Sequence, residues 1–309
     1  MPAPLAAPRC AAGCALLAAA PNGGSGDAIA ALLLDALAPL PAHAPSRPHS
    51  PHSSDDSRPP ALRRRLLRTA RASAAAARVM HTVRRDERAE VATNESRDGV
   101  TLRPLYRAEA GRAARPGEPA TVTLIELAPG ARWPGSEGVL PGAPALQREW
   151  LVLRGSLRIG EVALRSLDYR VVPAGDARAA DVPSAGREGA LVYQRESLPA
   201  AGAPREPVTS RAAEAAWADY APGVKRRMLW QQGGEAAMLY HGLPGAAVPH
   251  HAHTHDEECL MLAGDFFLDE VLLRPLDYQI APAGSEHRIS CTDTGVVIYA
   301  HGDVQLDLR

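Results

Sequence analysis

An internal duplication constrains this chain more than any other feature. Residues 149–178, EWLVLRGSLRIGEVALRSLDYRVVPAGDAR, run parallel to residues 258–287, ECLMLAGDFFLDEVLLRPLDYQIAPAGSEH, at a constant offset of 109 residues and without a gap. Upstream, DGVTLRPLYR from Asp98 answers PGVKRRMLWQ from Pro222, and LAPGARWP answers LPGAAVPH. A repeat of this length signals a structural unit used twice. Its texture is short apolar and β-branched runs punctuated by Gly and Pro, which reads as strands and turns. The expectation is a mainly β chain with two copies of one domain, starting near 90 and near 214.

The copies differ in chemistry. In the rear copy, Gly245 is followed by His251, His253, Glu257 and Gly264, and a second motif, PAGSEH, ends on His287. Imidazoles two positions apart on a strand point to one face, because side chains alternate. A carboxylate just beyond them and an imidazole from a neighbouring strand complete a three-His, one-Glu shell. Such donors suit Zn, Fe, Mn, Ni or Cu, and ligand type alone does not choose among them. The competing reading is a solvated His-rich loop, but the histidines lie between a Pro-Gly turn and the apolar run CLMLAG. His250 has the wrong parity for the shell, His255 falls in the turn before Glu257, and Glu258 should face away from it. The front copy has Arg148 opposite Glu257, Arg178 opposite His287, and no histidine opposite HAH. Cations at those positions repel a metal. Cys259 shares the face of Glu257, and Cys291 that of His287. Both read as barrel-lining, either as small core residues or as a redox pair.

The spacing G-x5-H-x-H-x3-E-x6-G followed by P-x-G-x2-H resembles the two motifs of the cupin superfamily. One departure is Leu276, where the second motif usually begins with Gly, and this is expected to loosen the turn without displacing His287. The resemblance implies two tandem cupin domains of double-stranded β-helix (jelly-roll) fold. It also implies that His251, His253, Glu257 and His287 ligate one divalent metal, with zinc favoured over Fe, Mn, Ni or Cu. The front cupin keeps the barrel and has lost the site.

Charge excludes some partners. The chain carries 34 basic and 35 acidic residues, so it is not a general nucleic-acid binder, although residues 1–90 hold 12 Arg against 7 acidic residues. Four Cys in 309 residues make no disulfide framework, which points to a reducing, cytoplasmic setting. No apolar run reaches the roughly 18 residues a membrane span needs. The first twenty residues imitate a secretory signal only weakly. Residues 1–39 form an N-terminal segment with a short helix over 27–38, capped by Asp27 and ended by Pro39. Residues 40–60 read as a Pro/Ser/His-rich linker whose His43, His49 and His52 are solvated. Residues 61–89 are an Arg/Ala-rich segment, helical over 61–79. Then come cupin 1 over 90–198, a linker over 199–213 and cupin 2 over 214–309.

The segments ALLLDALAPLPA and RPPALRRRLLRTA, together with the rear motifs, resemble ChrR-type zinc anti-sigma factors. That resemblance implies a regulator whose N-terminal helical region holds an extracytoplasmic-function (ECF) sigma factor and whose cupin takes part in an oxidative-stress response. The chain departs from the family's N-terminal His-x3-Cys-x2-Cys pattern, offering only Cys10 and Cys14. Two thiols make a poor structural zinc site, which takes four ligands. The competing class is a bicupin dioxygenase acting on a small organic molecule, with Glu258 or His241 as candidate bases. Tight zinc and a captured sigma factor mark the regulator, whereas a redox metal and turnover lost in His251→Ala mark the enzyme. A homodimer formed through the sheets is a further expectation.

Overall fold

A computed structural model describes residues 80–87, 99–108, 115–133, 145–176, 181–200 and 202–308. The expected helices at 27–38 and 61–79, the linker at 40–60, Cys10, Cys14 and Arg178 lie outside them. Strand β1 (His81–Val83) comes first. The front half holds β2 (Val100–Arg107), β3 (Pro119–Leu127), β4 (Gln147–Ile159), β5 (Val162–Arg165), β6 (Tyr169–Val172), β7 (Ser184–Ser197) and β8 (Val208–Ser210). The rear half opens with β9 (Ala218–Ala221), β10 (Val224–Gln232), β11 (Glu235–Gly242), β12 (Ala247–Val248) and β13 (His251–Ala252). It continues through β14 (Glu257–Gly264), β15 (Phe266–Leu268), β16 (Val271–Leu273), β17 (Tyr278–Ala281) and β18 (Glu286–His287). It closes with β19 (Ser290–Cys291), β20 (Val296–Asp303) and β21 (Asp307–Leu308). No helix occurs among the described residues.

The duplication is visible in the pairing register. Front strands run in the order β2-β3-β7-β4-β6-β8, and rear strands in the order β9-β10-β11-β20-β14-β17-β1. Glu149 faces Val171 across β4 and β6, and Glu258 faces Ile280 across β14 and β17, both partners shifted by the same 109 residues. The turn before β17 answers the departure at Leu276. Leu276 sits at φ 70° and its front counterpart Leu167 at φ 66°. The left-handed conformation that Gly would supply is therefore held by Leu in both copies, at a cost of about 1–2 kcal/mol. The turn is not loosened. Leu276 N–H donates to Met261 O at 2.8 Å, and Asp277 accepts Arg274 N–H at 3.0 Å.

The end strands cross over. His81–Val83 lie in the tail of the expected Arg/Ala-rich helical segment 61–89, yet they form β1 and pair with β17 of the rear half. Val208–Ser210, expected in the 199–213 linker, form β8 on β6 of the front half. The two strands are equivalent. Arg85 N–H and the Arg84 guanidinium reach Asp277, while Ala212 N–H and the Arg211 guanidinium reach Asp168. Each half thus carries an edge strand from the segment that precedes the other, which also covers an edge otherwise open to foreign strands.

The broad sheet faces meet in a common core. Leu124, Leu151, Tyr169 and Tyr193 of the front half pack with Leu239, Leu260, Tyr278 and Tyr299 of the rear half. Burying one such leucine contributes about 1.5–3 kcal/mol. Polar groups are set into this core. Arg195 donates from Nε to Glu258 Oε1 at 2.6 Å, from Nη1 to Glu149 Oε1 at 2.9 Å, and from Nη2 to Gly117 O at 2.5 Å. Tyr193 and Tyr278 donate to Glu258 Oε2 at 2.8 and 2.9 Å, and Tyr169 donates to Glu149. Burial alone pulls the Arg195 guanidinium down, but Glu258 and then Glu149 reverse the sign and hold it well above its ordinary value.

His301 occupies the rear position equivalent to Arg195, facing Glu258 as Arg195 faces Glu149. It is almost fully buried, its Nε2 3.5 Å from Glu149 Oε2. Burial first, and the Arg195 charge second, lower its pKa from 6.5 to about 3. The unfolded imidazole takes up a proton below pH 6.5 and the folded one does not until about 3, so stability is full above 6.5 and declines as pH falls toward 3. Between pH 7.5 and 5 the loss from this group is expected to reach about 2 kcal/mol. Thermal melts should record a flatter pH profile for His301→Leu. Some slope persists there, because burial also lowers the pKa of His251.

Candidate metal centre

Two strand pairs and a turn bring the donor residues together. β13 and β18 pair antiparallel with His251 directly opposite His287, which puts both imidazoles on one face. His253 follows at the end of β13 and is tied to the PAGSEH turn: its N–H donates to Ser285 O at 3.0 Å, and Gly284 N–H donates to its carbonyl at 2.8 Å. Glu257 opens β14 and pairs with Ala281 on β17, the strand that leads into that turn.

The four side chains converge. Imidazole centroids lie 5.1 Å apart for His251 and His253, 5.0 Å for His253 and His287, and 5.6 Å for His251 and His287. Glu257 Oε2 lies 3.5 Å from His253 Nε2 and 3.8 Å from His287 Nε2. Donor atoms of His251, His253 and Glu257 all fall within 4.8 Å of one another, a group that could hold a metal ion.

Protonation favours that use. His251 Nδ1 contacts Pro249 O at 2.8 Å, an N–H donation that leaves Nε2 as the free lone pair. Burial lowers the His251 pKa against the opposing pull of Glu257, so the ring is held neutral. Both nitrogens of His253 are buried and lack a hydrogen-bond partner. An orphaned imidazole beside a carboxylate is costly unless an ion or a proton joins them. The residues present therefore fit a divalent metal.

Two residues that the sequence reading did not single out support the donors. Asp269 Oδ2 stands 3.5 Å from His287 Nδ1, and its Oδ1 accepts Arg288 N–H at 3.0 Å. Burial alone would raise the Asp269 pKa, but the contacts with His287 and the Arg288 N–H bring it below its usual value. Gly302 on β20 is pressed against Glu257. A Cβ there would lie 3.2 Å from the Glu257 Cα and Cγ atoms. At the 109-residue offset the front half has Gly160 opposite Asp269, whereas Glu196 answers Gly302 only through the matching strand registers. Gly302→Ala is expected to tilt Glu257 and lower metal affinity by about 10–100-fold, the usual reach of changes beyond the ligands themselves. Chelator competition measures this, and unchanged affinity would show that Glu257 adjusts freely.

The front half fills the same position with an ion pair. Arg148, opposite Glu257 in the repeat, donates from Nε to Glu196 Oε1 at 3.0 Å, and Thr121 Oγ donates to Glu196 Oε2 at 2.8 Å. The remaining candidates fall away from the centre. His250 pairs with Glu286 at 3.1 Å, and His255 sits at a bend with Nδ1 2.5 Å from Asp303. Glu258 faces away as expected, into the Arg195 network, so it cannot be a base at the metal. His241 stacks edgewise on Trp217 and does not line the adjoining cavity. Cys259 does line it, whereas Cys291 is buried on β19 outside the lining. Burial, with Glu257 next, raises the Cys259 pKa, which disfavours a thiolate at that position.

Residues 205–305 match the family model described as the ChrR cupin-like domain, a span that contains every candidate ligand. No curated protein matches the chain. Among solved structures, one described as a glyoxylate-induced protein from Pseudomonas aeruginosa aligns at TM-score 0.56 and 15% identity, over 75% of this chain and 91% of that one. An oxalate decarboxylase mutant from Bacillus subtilis aligns at TM-score 0.50 and 15% identity, over 69% of this chain and 75% of that one. The Streptomyces albus HEPD structure with 2-hydroxyethylphosphonate and Fe(II) aligns at TM-score 0.50 and 10% identity, over 73% of this chain and 76% of that one. At these identities the likeness concerns the fold. With the shared fold and the family match over residues 205–305, the chain resembles cupin proteins of the ChrR type.

Proposed function

We propose that this chain is a metal-binding bicupin regulator, a ChrR-type anti-sigma protein of the cytoplasm that controls an ECF sigma factor during oxidative stress. The observation that carries this reading is the ChrR cupin-like match over 205–305, which encloses the converging His251, His253, Glu257 and His287. In this reading residues 90–198 and 214–309 are tandem cupins and the front one is silent. Its Arg148–Glu196 pair supports that silence. His251, His253, Glu257 and His287 would hold one zinc, which supplies a redox-inactive clamp on the strand ends that carry them. Residues 1–80 would hold the sigma factor.

Metal analysis of the full chain purified from its own host tests the reading. Zinc near one per chain, with a sigma factor co-purifying and lost on deletion of residues 1–79, supports it. Iron, manganese, nickel or copper, with no sigma factor, overturns it.

One observation favours a second reading, a metal-dependent dioxygenase. An open cavity adjoins the centre and is bordered by His251 and Glu257. Enzymes place substrates in such pockets, and the HEPD likeness joins this fold to an Fe(II) protein with a bound substrate. The same metal analysis separates the two.

A further inference from the structure

We infer that the rear cavity takes a compact ligand with a hydrocarbon body and a single polar head, the head lying at the metal centre. The inference rests on the metal reading for the position of the head and on the cavity wall for the nature of the body. The wall is nearly all apolar. Val248, Phe266, Leu268, Val296, Ile298 and Leu306 line it, with the Tyr220 and Tyr240 rings on one side. Among the described residues lining it, none is Lys, Arg, Asp, Asn or Gln, and Glu257 is the one carboxylate.

Arg226 is not among the lining residues. Its guanidinium lies 4.6 Å from the centre of the Tyr220 ring, hydrogen-bonds the Tyr240 side chain, and donates from Nη1 to Val304 O at 2.7 Å. A ligand with a second charged group would have to bury it without a partner, which is costly. An uncharged body instead gains with each methylene that it removes from water. One further polar feature faces this space: Ser290 Oγ is buried and has no hydrogen-bond partner. It can satisfy one oxygen or N–H on a ligand, but it cannot neutralise a charge. Ala247 stands exposed at the rim on β12, so ligands enter past a small side chain.

Calorimetric titration of the zinc-loaded full chain with butanoate, pentanoate, hexanoate and adipate tests the assignment. Hexanoate and adipate offer the metal the same head on a six-carbon chain and differ in the second charge. Affinity is expected to rise roughly fourfold per methylene from butanoate to hexanoate, with adipate at least about tenfold weaker than hexanoate. Ala247→Trp should plug the entrance, weakening hexanoate about tenfold or more while zinc content stays unchanged. A flat series, adipate equal to hexanoate, or an indifferent Ala247→Trp overturns the inference. If the chain takes up no zinc, the metal reading falls. Titrating the metal-free chain with 1-butanol, 1-pentanol and 1-hexanol then decides the cavity alone, a methylene gradient supporting the inference and a flat response overturning it.

Discussion

Replacing His253 with alanine is expected to reduce bound metal from near one per chain to near zero after dialysis against a weak chelator. Its imidazole is fully enclosed, both nitrogens lack other partners, and Nε2 lies 3.5 Å from the Glu257 carboxylate. Deleting it removes a donor outright. Since altering a supporting residue alone costs about 10–100-fold in metal affinity, losing a ligand should cost more than about 100-fold. Fold should survive, because His253 holds the PAGSEH turn through backbone groups, its N–H to Ser285 and its carbonyl to Gly284. Circular dichroism matching the parent, together with lost metal by atomic spectroscopy, is the expected pair of results. Undiminished metal in the variant would remove His253 from the centre.

The second large effect concerns folding. Arg195→Ala should destabilise the chain by about 3–5 kcal/mol, the usual consequence of leaving buried charge without its partner. Arg195, Glu149 and Glu258 are 2%, 0% and 1% exposed, so solvent screening offers no relief. Neutralising the carboxylates as well, in Arg195→Met with Glu149→Gln and Glu258→Gln, should recover much of the loss, because hydrophobic or neutral replacements of a whole buried network are often tolerated. Urea titrations of both variants measure this. Equal destabilisation in the single and triple variants would show that shape, not charge, decides the fit.

Much of this was legible in the sequence. The ungapped offset from 149 to 287 shows itself in matching strand registers, and the H-x-H parity puts His251 and His253 where His287 can face them. Arg148, opposite Glu257 in the repeat, announced a cation at that front position, where the structure has its ion pair with Glu196. The remainder hinged on contacts between distant strands. Nothing local in HTV or VTS announces that His81–Val83 and Val208–Ser210 leave their own copies, since their partners Tyr278–Ile280 and Tyr169–Val171 lie far along the chain. Likewise, Glu258 reads as a polar residue on the far face of a strand. Its role emerges when Arg195 of the other half reaches it. Leu276 shows a different limit, because a motif written with Gly describes a backbone angle that another residue can be forced to adopt.

The crossed edge strands carry a consequence for how this molecule may be divided. A fragment starting at residue 205, where the family match begins, keeps the donors but strips the strip of backbone that borders Tyr278–Ile280, leaving those amides bare on the ladder next to Glu257. The same cut takes Val208–Ser210 away from the front half and carries them off with the wrong partner. Each piece thus lacks, or carries away, an edge strand that the intact chain pairs across the cut. Heat, protease or gene fission therefore meets the described β-structure as a single knot of two loops, each clasping the other.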